Sequence, residues 1–433
     1  MKKISSTILT LLVAANASAL NLSLAECREM ALNTDESLKI AENNLEGADL
    51  DRGVAKTQYL PKFAGSASAI YTAPDSKIGD MMTLQMRGAY MAGINLTQPI
   101  YTGGKITAAN RMAAVGQDVY RQQLRATRMD VIADAEKAYW TYVGVLEKVE
   151  MTRAYLALMD SVYERTNNSV EIGMANRQSL LRVNTRRSEI VYRLNQAQAG
   201  ADICRMALCR AIGVSDTTTI HPTESISVSD NLPMMNDDVT NRPESIILSK
   251  NIELKKHQVT MTRADFLPVV GLQLGWSAYG NIKMKGWSQD EAGNPVPFSS
   301  TTNDNGFSGI LSVQIPLFHW GEGIKKVRRA KLDVENAQLS LQRNTKLMQL
   351  EARQNYNNVV TGLELIRTAD KAMNEADENL RMMREQYEVG LNTLTDLLEA
   401  QSQWQTSYSN LIEAQTQYRI NQVEYLRSIG ELD

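Results

Sequence analysis

Two hydrophobic periods organise this chain. Over short stretches apolar side chains recur at every second residue, and over long ones at every seventh. Val359, Ile366, Met373, Leu380 and Tyr387 are spaced by seven, and so are Leu397, Trp404, Leu411, Tyr418 and Tyr425. A sustained seven-residue stripe predicts helices wound on neighbours in a left-handed supercoil. Helices are expected over about 22–58, 105–171, 176–212, 243–265, 322–388 and 394–429, where apolar positions recur at helical spacing and Gly and Pro are scarce. Tyr59-Leu60-Pro61 and Phe266-Leu267-Pro268 stop the helices before them. Period-two segments lie between: 63–72, with Ser66, Ser68 and Ile70 opposite Ala67, Ala69 and Tyr71; 90–98, with Ala92, Ile94 and Leu96 together. Two more are 269–279, with Leu272, Leu274, Trp276 and Ala278, and 307–315, with Phe307, Gly309, Leu311, Val313 and Ile315. Such strands have the length of a tilted membrane-spanning strand. Residues 73–88 and 280–305 read as loops, and 214–240 as a Ser/Thr/Asp-rich connector.

The second half repeats the first. Pro99 falls on Pro316, a shift of 217, and the same shift carries Tyr139 onto Tyr356, Gly173 onto Gly390 and Gly213 onto Gly430. The heptad positions of the last long hairpin fall on Tyr142, Val149, Leu156, Tyr163 and Val170, all apolar or aromatic. A period this long is a duplicated structural unit rather than a short solenoid repeat. The expected organisation is a leader over 1–19, a first repeat over 20–213 with hairpin 63–98, a connector over 214–240, and a second repeat over 241–433 with hairpin 269–315.

The leader is read from Lys2-Lys3, a short apolar stretch from Ile8 to Ala15, and the small residues Ala17-Ser18-Ala19. Removing it takes the formal charge from −3 to −5, because Lys2 and Lys3 leave with no acid. A mildly acidic chain argues against nucleic acid. Beyond the leader no segment has the unbroken apolar length of a transmembrane helix. Membrane passage, if any, must be by strands. Four strands cannot close a spanning barrel, since about eight is the minimum and open edges are not tolerated in lipid. Several chains would have to share one barrel.

Chemistry adds little. His221, His257 and His319 are scattered without metal-ligand spacing. Gly103-Gly104-Lys105 is no phosphate loop, since Pro99 stands where the first Gly belongs and Ile106 where Ser or Thr belongs. No nucleophile–base pattern occurs, so neither enzyme activity nor a cofactor is expected. Cys204 and Cys209 sit five apart on a helix, on different faces, which suits a bridge poorly. Cys27 could pair with Cys209 in an oxidising compartment or remain a buried thiol. A Glu before Cys27 argues against lipid anchoring there.

With these landmarks in order, the chain resembles the TolC-type outer-membrane efflux channels over its whole length after the leader. The resemblance rests on the duplication and the Leu-Pro before each outgoing strand. It rests too on the strand exits Gln98-Pro99-Ile100-Tyr101-Thr102-Gly103-Gly104-Lys105 and Ile315-Pro316-Leu317-Phe318, and on the turns Glu171-Ile172-Gly173-Met174 and Tyr387-Glu388-Val389-Gly390-Leu391. It departs at His319-Trp320-Gly321-Glu322-Gly323, which replaces a Gly-Gly-basic turn. The resemblance implies an α+β membrane protein in which long antiparallel helical hairpins form a trimeric periplasmic tunnel. Four strands per chain would join a shared twelve-stranded transmembrane barrel.

It further implies an outer-membrane duct for efflux or type I secretion, extending into the periplasm. The partners implied are two further copies, a periplasmic adaptor, an inner-membrane transporter and outer-membrane lipid. Asp396 and Glu399 match the family's acidic entrance ring, and Tyr387 a tyrosine that holds the entrance shut. The matching latch positions hold Asn392 and Ser179, so the family's salt bridge is missing or different. Asp396 and Glu399 could equally be first-turn acids favoured by a helix N-terminus. Gly173, Met174, Gly390 and Leu391 are the expected adaptor-docking turns. The competing reading is a secreted periplasmic coiled-coil scaffold or adaptor without a barrel, against which the two symmetric hairpins weigh.

Overall fold

The structure, a computed structural model, describes residues 20–79, 82–226, 228, 232–291 and 293–432. The leader expected over 1–19 lies outside them. In chain order the first elements are β1 (Leu20–Leu22), α1 (Leu24–Thr34), α2 (Glu36–Thr57), β2 (Lys62–Tyr71), β3 (Ser76–Ile78), β4 (Met82–Gln85) and β5 (Arg87–Tyr101). Then come α3 (Lys105–Glu171), α4 (Arg177–Ile212), β6 (Ile220–Pro222), α5 (Pro243–Ala264), β7 (Val269–Gln289), β8 (Pro295–Gln314), α6 (Glu322–Glu388) and α7 (Leu394–Ile429). The two long helices are each 67 residues and their return helices each 36, so the duplication holds residue for residue there. No described helix is long and apolar enough to cross a membrane.

Four expectations need correction. The helix foreseen over 22–58 is two helices, broken at Asp35. Asp35 has extended backbone, and its carboxylate accepts from the Ser37 N–H at 2.8 Å and the Leu38 N–H at 3.1 Å, so it starts α2 rather than continuing α1. The loop expected over 280–305 is mostly strand: β7 runs to Gln289 and β8 begins at Pro295. Ladder pairing from Ile282↔Thr302 to Gln289↔Pro295 holds this polar sequence extended despite its low strand propensity. Residues 73–88 likewise carry β3 and β4, and the connector carries β6.

The chain divides into two compact units, each with pieces of both repeats. One comprises Asn44–Arg121 and Ile247–Leu341. It holds a sheet in the order β2-β5-β7, with β8 on the far side of β7 and β4-β3 pairing beyond the β5 contact. Neighbouring long strands are antiparallel. Register fixes which side chains share a face. Gly65, Ile94, Trp276 and Phe307 stand opposite one another in a row; so do Phe63, Leu96, Leu274 and Gly309, and Ala67, Ala92 and Ala278. The other face carries Ser66, Gly93, Ser277 and Gly306, and Ala64, Asn95, Gly275 and Ser308. In these rows one face of the sheet is apolar and the other small and polar, with Met91, Tyr279 and Ile310 also on the second face. Within this unit Lys105 reaches Asp265 at 2.7 Å, and the Asn110 amide donates to the Ala55 carbonyl at 2.8 Å. Gly103, at φ 63°, lies where a Cβ would come within 2.8 Å of Leu267 Cβ, so the first strand exit needs glycine for both backbone and space.

The other unit comprises Met1–Asn43, Gln122–Ile246 and Gln342–Asp433. One core gathers Leu22, Cys27, Ala135, Tyr139, Tyr142, Leu208, Cys209 and Ile220. The β1 strand pairs with β6 in parallel, Leu20 opposite Ile220. Tyr142 donates to the Ile220 carbonyl at 3.1 Å, and Tyr139 donates to the Leu22 carbonyl at 3.1 Å and to Glu224. Glu224 also accepts from the Leu24 N–H at 2.9 Å, which sets a carboxylate at the start of α1. The heptad residues Val359, Leu380, Leu397, Tyr418 and Tyr425 are buried, as are Tyr142 and Val149. All three cysteines are free.

Candidate functional site: the helical turns

Each long helix ends in the same way. Gly173 (φ 76°) and Gly390 (φ 77°) are left-handed. Each donates to the carbonyl three residues back, Val170 at 3.1 Å and Tyr387 at 3.1 Å. The next residue donates to the carbonyl five back, Met174 to Ser169 at 2.8 Å and Leu391 to Gln386 at 2.9 Å. This Schellman pairing satisfies carbonyls that a helix end would leave open. Neither glycine has an atom within 4 Å of where a Cβ would stand, so backbone conformation alone demands it. Met174 and Leu391 are 83% and 76% exposed, and Ile172 and Val389 of the same turn motifs are exposed beside them. Each turn therefore presents two apolar side chains flanking a rigid glycine. Exposure of Ile172 and Val389 follows from the turn geometry and has no signal in the linear pattern.

The return helices start on polar caps. Asn176 accepts from the Ser179 N–H at 2.9 Å. Thr393 and Asp396 form a reciprocal capping box: the Asp396 carboxylate accepts from the Thr393 hydroxyl at 2.7 Å and N–H at 3.1 Å. These hydrogen bonds hold the Asp396 carboxyl below its ordinary range. Asp396 thus has the capping contact considered from sequence. It also lines, with Glu399, Asn379, Met383 and Asn392, an open groove of about 310 Å³. Tyr387 is not part of that groove; it lines a separate cleft with Arg165, Arg384, Glu388, Leu397 and Gln401. The two positions expected to hold a latch have local partners: Asn392 donates to Gln386 at 2.6 Å, and Ser179 to Asn176 at 3.1 Å.

Ion pairs and hydrogen bonds that no linear pattern signals tie these helices together. Arg165 Nη1 lies 3.0 Å from Glu388 Oε1, joining α3 to α6 near the turns. Arg187 and Asp160 join α4 to α3 at 2.5 Å. Arg186 donates to Ser402 at 2.9 Å, joining α4 to α7, and the Trp404 indole donates to Asp377 at 2.9 Å, joining α7 to α6. Among the described residues no metal-ligand cluster occurs.

The family model described as outer membrane efflux protein matches residues 27–214 and again 248–431. The chain belongs to this family. Such a member is an export channel of the outer membrane that reaches into the periplasm. Among its relatives is the outer membrane protein TolC of Vibrio cholerae, 21% identical over 79% of this chain and 76% of that protein. The alkaline protease secretion protein AprF of Pseudomonas aeruginosa is 20% identical over 92% of this chain and 82% of its own length. Protein CyaE of Bordetella pertussis is 24% identical over 95% and 85%. In fold the chain is similar to the Campylobacter jejuni CmeC outer membrane channel, with TM-score 0.77 and 20% identity over 94% of this chain and 85% of that one. The open-state MtrE channel of Neisseria gonorrhoeae gives TM-score 0.75 and 18% identity over 95% and 89%.

Proposed function

We propose that this chain is the passive exit duct of a tripartite efflux or type I secretion assembly. It would work as a homotrimer whose β2, β5, β7 and β8 strands make up one twelve-stranded barrel. The observation that carries this is the sheet's two faces together with its open edges. The face bearing Ile94, Trp276 and Phe307 suits lipid, and the face bearing Ser66, Ser277 and Ser308 suits a wet lumen. Among the described residues β2 and β8 each pair on one side only, and an open edge is not tolerated in hydrocarbon. Strands from other copies satisfy both edges.

The remaining roles follow from this reading. Asp396 and Glu399 line the periplasmic entrance with carboxylates, and Tyr387 helps to hold it closed. The turns at Gly173–Met174 and Gly390–Leu391 receive a periplasmic adaptor, which couples the duct to an inner-membrane transporter. An exposed apolar side chain on a rigid turn is a good anchor for a partner's helical hairpin. No catalysis and no cofactor are involved. Mass measurement of the detergent-extracted protein tests the assembly. Three chains per particle are expected, and a soluble single chain would overturn the reading.

A further inference from the structure

The second strand exit differs from the first in a way the fold does not require. At the repeat shift, Gly103 of the first exit becomes Trp320, and Ala108, Ala109, Met112 and Ala114 become Lys325, Lys326, Arg329 and Lys331. Trp320 keeps the left-handed backbone of its glycine counterpart, φ 51° against 63°. An aromatic residue there is strained, and such strain points to a role. The strain does not serve a core within the chain, because Trp320 is 86% exposed there. Leu317 (88%) and Phe318 (69%) are exposed beside it, with the Phe318 and Trp320 rings edge to face at 4.9 Å.

These side chains continue the apolar face of β8, where Phe307, Leu311 and Val313 are exposed. Behind them lies a groove of about 600 Å³, walled by Phe266, Leu317, Phe318 and Ile324 and edged by Arg263, Arg328 and Lys331. Lys326 is engaged by Glu322 at 2.5 Å and lies over the Phe266 ring at 6.0 Å. Arg263, Lys325, Arg328, Arg329 and Lys331 have no carboxylate partner among the described residues. A rim of cations around an apolar groove, where a lipid-facing sheet ends, matches an anionic amphiphile.

We propose that this groove binds the phosphate headgroup and upper acyl chain of an anionic phospholipid in the periplasmic leaflet. Trp320 and Phe318 sit at the interface, as aromatic girdles do. Arg328 and Lys331 meet the phosphate, and the apolar wall takes the chain. The proposal rests on the lipid-facing reading of the sheet.

Native mass spectrometry of the detergent-extracted channel, given equal phosphatidylglycerol and phosphatidylethanolamine of matched chains, tests it. Phosphatidylglycerol should be retained about 25-fold over phosphatidylethanolamine, from two cations worth about fivefold each at a membrane surface. R328Q/K331Q should bring that ratio near one. Trp320→Gly, which restores the residue of the first repeat, should fold normally and lose retention of both lipids. Equal retention by the unaltered protein, or an unchanged ratio in R328Q/K331Q, overturns the proposal. Dissociation of the copies in either variant also overturns it, since the groove would then be covered by a neighbouring chain. Fractionation of the unaltered protein separates these outcomes from failure of the membrane reading itself.

Discussion

Arg165 and Glu388 join the ends of the two longest helices, with Arg165 Nη1 3.0 Å from Glu388 Oε1. Arg384, one turn back on α6, lies 3.5 Å from the same oxygen. This pair is the charge contact beside Tyr387, while Asn392 and Ser179, where a latch was expected, carry no charge. Both partners are substantially exposed, so its stability contribution is about 1 kcal/mol or less. Glu388→Gln should therefore shift the melting temperature little, yet raise the resting conductance of the channel in planar bilayers. An unchanged conductance would remove the pair from any role in closure.

The entrance acids should set ion preference. Asp396→Asn with Glu399→Gln removes two carboxylates per chain from one groove. Close carboxylates attract cations, so the double variant should show weaker cation selectivity and weaker block by multivalent cations. Asp396→Asn alone tests the capping share. Its carboxyl is held low by Thr393, so the cap is intact above the ordinary aspartate range and fades only as pH falls through the lowered folded value. Selectivity that survives the double variant would leave capping as the only role.

The turns should tolerate no charge on their apolar knobs if an adaptor seats there. Leu391→Asp or Met174→Asp is expected to abolish export while trimer gels and membrane insertion stay normal, because both side chains are largely exposed. Gly390→Ala should cost about 1–2 kcal/mol through backbone strain alone, since the surrounding space is open. Full export by Leu391→Asp would send the docking site elsewhere.

Thiol chemistry should follow burial. Cys27 is fully buried, and loss of solvation, with Glu136 nearby, pushes its thiol up to about 12. A raised thiol value leaves little thiolate at pH 8, and only the thiolate alkylates. Peptide mapping after iodoacetamide treatment of the native channel should find Cys204, which is part-exposed, modified well before Cys27 and Cys209. Simultaneous labelling of all three would mean that the core holding Cys27 opens readily.

What the sequence determined by itself was local and periodic. The heptads of α6 and α7, the alternation of β2 and β5, the Leu-Pro stops and the glycines closing α3, α4, α6 and α7 are written within a few residues, because helix and strand periods act at that range. The duplication was legible for the same reason, as one local pattern written twice. The break at Asp35 was hidden because a capping carboxylate looks like any helical surface acid until its N–H partners are seen. The strand character of 280–289 and 295–305 lay in ladder partners rather than in composition. Tertiary structure alone decided that β5 pairs with β7, which joins the two repeats into one sheet and lines up Ile94, Trp276 and Phe307. It alone brought Arg165 to Glu388 and separated Tyr387 from Asp396 and Glu399. Those arrangements depend on register and on helix rotation between segments far apart in the chain, and no short-range pattern encodes either.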